Sequence, residues 1–144
     1  MGFYCHLHVC FPCDENSGVS KVASKCLEDL NSKGEEVCIH SKMFLEELAS
    51  RVGANPGSKG GLSLWGIVGN YVNVRKFTND LIPFWERLLS GEIPGGPCKE
   101  ERVIIFYEKE QSEKANAIEI YLDWRNNYAL TVKEHECPFS WMLM

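Results

Sequence analysis

Residues 3 to 11 alternate in character. Phe3, Cys5, Leu7, Val9 and Phe11 fall on one side, and Tyr4, His6, His8 and Cys10 on the other. A period of two predicts a half-buried β-strand, because successive side chains of a strand point to opposite faces. Pro12 ends it, since proline brings no N–H to a ladder. The period then changes. Val19, Val22, Ala23, Cys26, Leu27 and Leu30 recur at threes and fours, the stripe of an amphipathic helix. Asn16 or Ser17 is its expected cap, Asp14 and Glu15 suit its positive end, and Gly34 closes it. Residues 35–40, EEVCIH, predict a short strand. Ser41 then caps a second helix, with Phe44, Leu45, Leu48 and Val52 as its stripe and Gly53 as its stop.

Residues 53–61, GANPGSKGG, form a loop. LSLWGIVGNYVNV fits a strand or a helix over residues 62–73, and the helical spacing of the apolar residues Leu64, Val68, Tyr71 and Val72 favours the helix. A further helix carries Phe77, Leu81, Phe84, Trp85, Leu88 and Leu89 on one face. With Asn79 as its N-cap, Pro83 falls in the first turn, where N–H groups have no intrahelical partner. The last third predicts a β-meander. Val103–Tyr107 is apolar on both faces. Ile118, Ile120, Leu122 and Trp124 alternate with Glu119, Tyr121 and Asp123. After the turn Arg125-Asn126-Asn127, Tyr128, Leu130 and Val132 alternate with Ala129, Thr131 and Lys133. The tail CPFSWMLM is expected to pack back on the body.

These elements predict one α+β domain spanning residues 1–144. Its sheet joins an N-terminal strand to a C-terminal three-stranded antiparallel meander, and the middle helices pack on that sheet. The first strand is expected beside Val103–Tyr107.

Composition refines the picture. Apolar residues make up 44% of the 144 and charged residues 24%, enough for a core without disulfide staples. The formal net charge of −5, with basic residues scattered, argues against nucleic acid and anionic membrane as partners and leaves an unknown protein as the expected one. No run reaches the roughly 18 apolar residues of a membrane span. The start lacks the basic and apolar regions of a signal peptide. Met1-Gly2 resembles an acylation start, but His6 occupies the position where Ser or Thr is required. Seven cysteines, an odd number with no export signal, point to reduced thiols and a cytoplasmic protein.

Cys10-Phe11-Pro12-Cys13 is the sharpest motif. Two thiols three apart before a helix can close a small disulfide, with the helix dipole favouring the thiolate. The order of strand, C-x-P-C, helix, short strand and helix resembles the first half of a glutaredoxin, over the first third of the chain. That resemblance implies thiol–disulfide exchange by Cys10 and Cys13. Asp14 and Glu15 oppose it: at about 6 Å through water each disfavours a thiolate by roughly 0.7 kcal/mol. Cys10 also lies within the strand, and Pro56, the one candidate for the proline such a fold needs, precedes no clear strand. A zinc site is the second reading. His6, His8 and Cys10 share a strand face, Cys13 follows, and His135 and Cys137 complete the set if the first and last strands are neighbours.

Other motifs are incomplete. GANPGSKGG fails the G-x-x-x-x-G-K-[ST] phosphate loop at Ser58 and Gly60. Glu119, Tyr121, Asp123 and Lys133 share one face of the meander, where paired carboxylates could do acid–base work. Among the aromatics, Phe84 and Trp124 are expected in the core, and Trp65, Phe139 and Trp141 as anchors for a partner. No catalytic constellation is complete. The expected function is therefore a small intracellular binding or protein-interaction domain, with thiol exchange and zinc binding as alternatives and no cofactor required.

Overall fold

Strand β1 (Tyr4–Pro12) lies inside the sheet of the computed structural model and is paired along both edges. The structure describes residues 4–13, 18–34, 37–50, 62–70, 73–109 and 114–138. Antiparallel to β1 on one side runs β2 (Leu62–Asn70), and on the other β3 (Val103–Lys109). Strands β4 (Lys114–Asp123) and β5 (Ala129–Pro138) extend the sheet, giving the order β2-β1-β3-β4-β5. The expected pairing of the first strand with Val103–Tyr107 is thus present, with Val9 opposite Ile105.

The alternation of β1 does what its period demands. Leu7, Val9 and Phe11 are buried, and His8 and Cys10 on the other face are half-buried. The register continues the buried face through Val103 and Ile105 to Ile118 and Ile120. Four helices join that face in one core: α1 (Val19–Lys33), α2 (Ile39–Ser50), α3 (Val74–Asp80) and α4 (Ile82–Leu88). Phe44 stands at its centre, with ring centroids 5.6 Å from Phe77, 5.7 Å from Phe84 and 5.6 Å from Trp85. Trp85 is fully buried, and its indole N–H donates to the Thr78 carbonyl at 3.0 Å, which satisfies the polar atom. No helix among the described residues is long and apolar enough to cross a membrane.

Several local expectations are corrected. Residues 62–70 are a strand, not a helix. Gly66 and Gly69 each weaken a helix by about 1 kcal/mol, and β1 offers a full row of backbone donors and acceptors that must be paired. No strand is described between α1 and α2. Cys38 instead opens α2, its carbonyl accepting from Ser41 N–H at 3.1 Å. Ser41 is therefore inside the helix and buried, not its cap. The single helix expected from Phe77 to Leu89 is two, breaking at Leu81. Asn73, rather than Asn79, caps the first of these, accepting from Lys76 N–H at 3.1 Å. Pro83 does fall in the first turn of α4. Gly34 closes α1 in the left-handed conformation, φ 64°, as expected.

Asp80 ties α3 to α2. Its carboxylate accepts from Cys38 N–H at 2.8 Å, from the Ser41 hydroxyl at 3.1 Å and from Lys76 Nζ at 3.1 Å. Burial by itself raises the Asp80 pKa, but these hydrogen bonds outweigh it and hold the carboxyl below its ordinary value. Asp80 thus caps α2 from another helix, which closes the helical layer over the sheet.

Asp80→Ala is expected to cost about 1–3 kcal/mol in chemical denaturation at pH 7. Because the folded pKa is depressed, the stabilisation is complete above the unfolded value near 3.9 and disappears as pH falls through the folded one. A gap between wild type and variant that closes above pH 5, or is absent at pH 7, would contradict this role.

Candidate functional site

The tip of the β4–β5 hairpin is built to expose aromatic rings. The strands pair as far as Asp123 opposite Ala129. The Asp123 carboxylate then accepts from Arg125 N–H at 3.0 Å and starts a short 3-10 turn, Trp124–Asn126. Tyr128 N–H donates back to the Asp123 carbonyl at 2.8 Å and shuts the loop. To do so, Asn127 and Tyr128 take φ of 52° and 58°. Asparagine adopts this left-handed region readily. For a residue as large as tyrosine it costs about 1–2 kcal/mol. Strain of this kind is held where the surroundings over-determine the backbone, commonly at functional sites. Trp124 and Tyr128 of this loop are 68% and 48% exposed.

Each ring near this tip carries a cation. The Arg125 guanidinium lies 5.2 Å from the Trp124 ring, Lys99 Nζ 4.9 Å from the Tyr128 ring, and the Arg102 guanidinium 4.7 Å from the Tyr121 ring. The three rings line one cleft of about 740 Å³, together with Lys99, Arg102, Arg125 and Lys133. That volume lies in the range of small-molecule sites.

Three carboxylates also line the cleft: Glu100, Glu119 and Asp123. All three are engaged within the protein. Glu119 pairs with Arg102 and lies 3.1 Å from His135 Nε2. Burial raises the Glu119 pKa, but the Arg102 and His135 hydrogen bonds outweigh it and hold the carboxyl below its usual value. Asp123 caps the 3-10 turn, and Glu100 accepts from Cys98 Sγ at 3.6 Å. Among the described residues, Lys99, Arg125 and Lys133 have no ion-pair partner. The cleft therefore presents ring faces and four cations beside three carboxylates that keep their charge.

The four polar meander residues noted in the sequence, Glu119, Tyr121, Asp123 and Lys133, do meet in this cleft. Trp124 is a correction: expected in the core, it is the most exposed large apolar residue described. The strand alternation stops at Asp123, whose cap turns the chain before the tryptophan. The Asn126-Asn127 pair was the available signal, since asparagine marks turns with positive φ. Phe84 is buried as expected. Trp65 pairs with Val9 in register, and its side chain lies outside the described residues, as do Phe139 and Trp141 entirely.

The residues of the zinc reading are divided by the sheet. His6, His8 and Cys10 are on β1, and His135 and Cys137 on β5. The two strands are not neighbours. With β3 and β4 between them, they stand about 14 Å apart at the usual strand spacing. His135 bonds Glu119 instead. Among the described residues, no three His, Cys, Asp or Glu side chains cluster as metal ligands; the His6 and Cys137 side chains lie outside that set. Cys10 and Cys13 are reduced thiols, Cys10 half-buried and Cys13 buried. The helix α1 starts only at Val19, with Gly18 as its cap, so Cys13 is beyond the first turn where the dipole acts.

No family model, curated protein or solved structure matches this chain.

Two outcomes are expected at these positions. Tyr128→Gly removes the left-handed strain and is expected to be at least as stable as wild type by thermal unfolding, though it loses the Lys99–ring contact. A loss exceeding about 1 kcal/mol would refute the strain assignment. Burial pushes the Cys10 thiol above its ordinary value. Its alkylation by iodoacetamide at pH 7 is expected to be slower than that of a free cysteine and to accelerate steadily as pH is raised. A rate plateau reached near pH 7 would instead mark an activated thiolate.

Proposed function

We propose that this chain is a binding domain without catalysis of its own, and that it recognises its partner at the β4–β5 tip. The observation that carries this reading is Trp124, 68% exposed and held out by a loop that spends backbone strain at Tyr128. Large exposed aromatic rings beside arginines are the residue types that dominate binding hot spots. The cleft behind the rings supplies depth, and its uncommitted cations favour an occupant carrying negative charge.

The thiol reading is supported by the sequence C-x-P-C alone; burial of Cys10 and the late start of α1 both work against a thiolate there. The zinc reading loses the β5 residues, and among the described residues His8, Cys10 and Cys13 do not cluster as metal ligands; the His6 side chain lies outside that set.

The test compares immobilised wild type with a Trp124→Ala/Arg125→Ala variant for retention of protein and small-molecule material from cell extract, read by mass spectrometry. Both positions are exposed, so thermal stability is expected to stay within about 0.5 kcal/mol of wild type. Specific material retained by wild type is expected to fall at least about tenfold in the variant. Equal retention by both would place recognition elsewhere.

A further inference from the structure

We infer that the cleft takes a nucleotide: a planar base stacked on Trp124 or Tyr121, with its phosphate among Arg125, Arg102 and Lys133. This rests on the reading of the tip as the binding surface and names the class of its occupant.

The pairing of rings with cations is the central observation. In the free protein the Trp124, Tyr121 and Tyr128 rings each face one cation, at 5.2, 4.7 and 4.9 Å. A cation over a ring is held by the ring's negative face. A planar base can take that face by stacking, because every base has a π-face. The displaced cation is then available to an anion within a side chain's length. A molecule joining a flat ring to a phosphate supplies both at once. A simple anion meets the cations but leaves the rings exposed, and an uncharged aromatic takes a ring face but strands its cation.

Arg102 is prepared for the phosphate. Glu119 holds one side of its guanidinium and the guanidinium carbon lies over the Tyr121 ring at 4.7 Å, which leaves further N–H donors for a second acceptor. Such a fork matches phosphate oxygens. Glu119 is in turn steadied by His135 at 3.1 Å. The cleft volume of about 740 Å³ accommodates a single nucleotide. A polymer is disfavoured by the formal charge of −5 on the whole chain, which repels an extended polyanion.

The test is calorimetric titration of the full chain, at about 50 mM salt, with adenosine 5′-monophosphate, adenosine, inorganic phosphate and a ten-residue oligoadenylate. AMP is expected to bind at least about tenfold more tightly than adenosine or phosphate. Trp124→Ala is expected to reduce AMP affinity toward that of phosphate, and Arg125→Ala toward that of adenosine. Should Arg102 rather than Arg125 hold the phosphate, Arg102→Ala shows that loss, and the proposal stands. AMP binding no better than phosphate, or unchanged by Trp124→Ala together with Tyr121→Ala, overturns it. Oligoadenylate binding more than about a hundredfold tighter than AMP also overturns it, in favour of a single strand. If AMP fails while the Trp124→Ala/Arg125→Ala variant still loses material captured from extract, only the nucleotide is wrong. If both fail, the tip itself is not the binding surface.

Discussion

Strand β1 carries the constraint on which the fold depends. Both of its edges are paired, to β2 and to β3, so its residues cannot slip by one without turning Leu7, Val9 and Phe11 out of the core and His8 and Cys10 in. That register fixes where Ile105 and Val103 stand, and through them Ile118 and Ile120. The apolar face so defined needs a cover. Phe44 supplies it from α2 and Phe84 and Trp85 from α4, and Asp80 closes α3 on α2 above them. The helical layer is thus organised by the face of a strand that precedes it in the chain.

Much of this was legible because period and burial act on the same residues. The alternation in β1 and the meander, and the stripes of α1, α2 and α4, each report one face that must leave water. Where legibility failed, a non-local partner decided the outcome. Residues 62–70 carry a weak helical spacing and two glycines, and only the free edge of β1 makes them a strand. Cys38 opens a helix instead of lying within a strand because the Asp80 carboxylate, far away in sequence, reaches its N–H. The break between α3 and α4 is a local exception: Pro83 brings no N–H and falls in the first turn of α4, so the helix restarts after Leu81.

The candidate site was half legible. Glu119, Tyr121, Asp123 and Lys133 share a face by alternation, so their meeting follows from the strand period. Their roles do not. Glu119 and Asp123 read as a carboxylate pair fit for acid–base work, yet one is committed to Arg102 and His135 and the other to a backbone N–H. Trp124 reads as the next inward position of β4 and becomes the most outward one, because a capping hydrogen bond ends the strand one residue earlier. The segment before β3, which brings Lys99 and Arg102, has no periodic signature at all. Its place beside the tip is set by the β3–β4 register, with Val103 opposite Ile120.

The charge of the chain and the charge of the cleft then act on different scales. The net −5 is spread over the whole surface, while four cations and three internally engaged carboxylates line one small cleft. At physiological ionic strength, exposed charges farther apart than about 8 Å are largely screened from one another. A small anion seated in the cleft therefore responds to its four cations and three carboxylates, one positive charge in excess, and barely to the distant acids. A ligand extending several such lengths beyond the tip meets the acidic remainder of the protein and gains nothing further from the cations. The same surface that admits a compact, ring-bearing anion thereby selects against a long one. The strain at Tyr128 fits that division of labour, since it is confined to a loop outside the core and fixes ring positions without disturbing the strand register beneath.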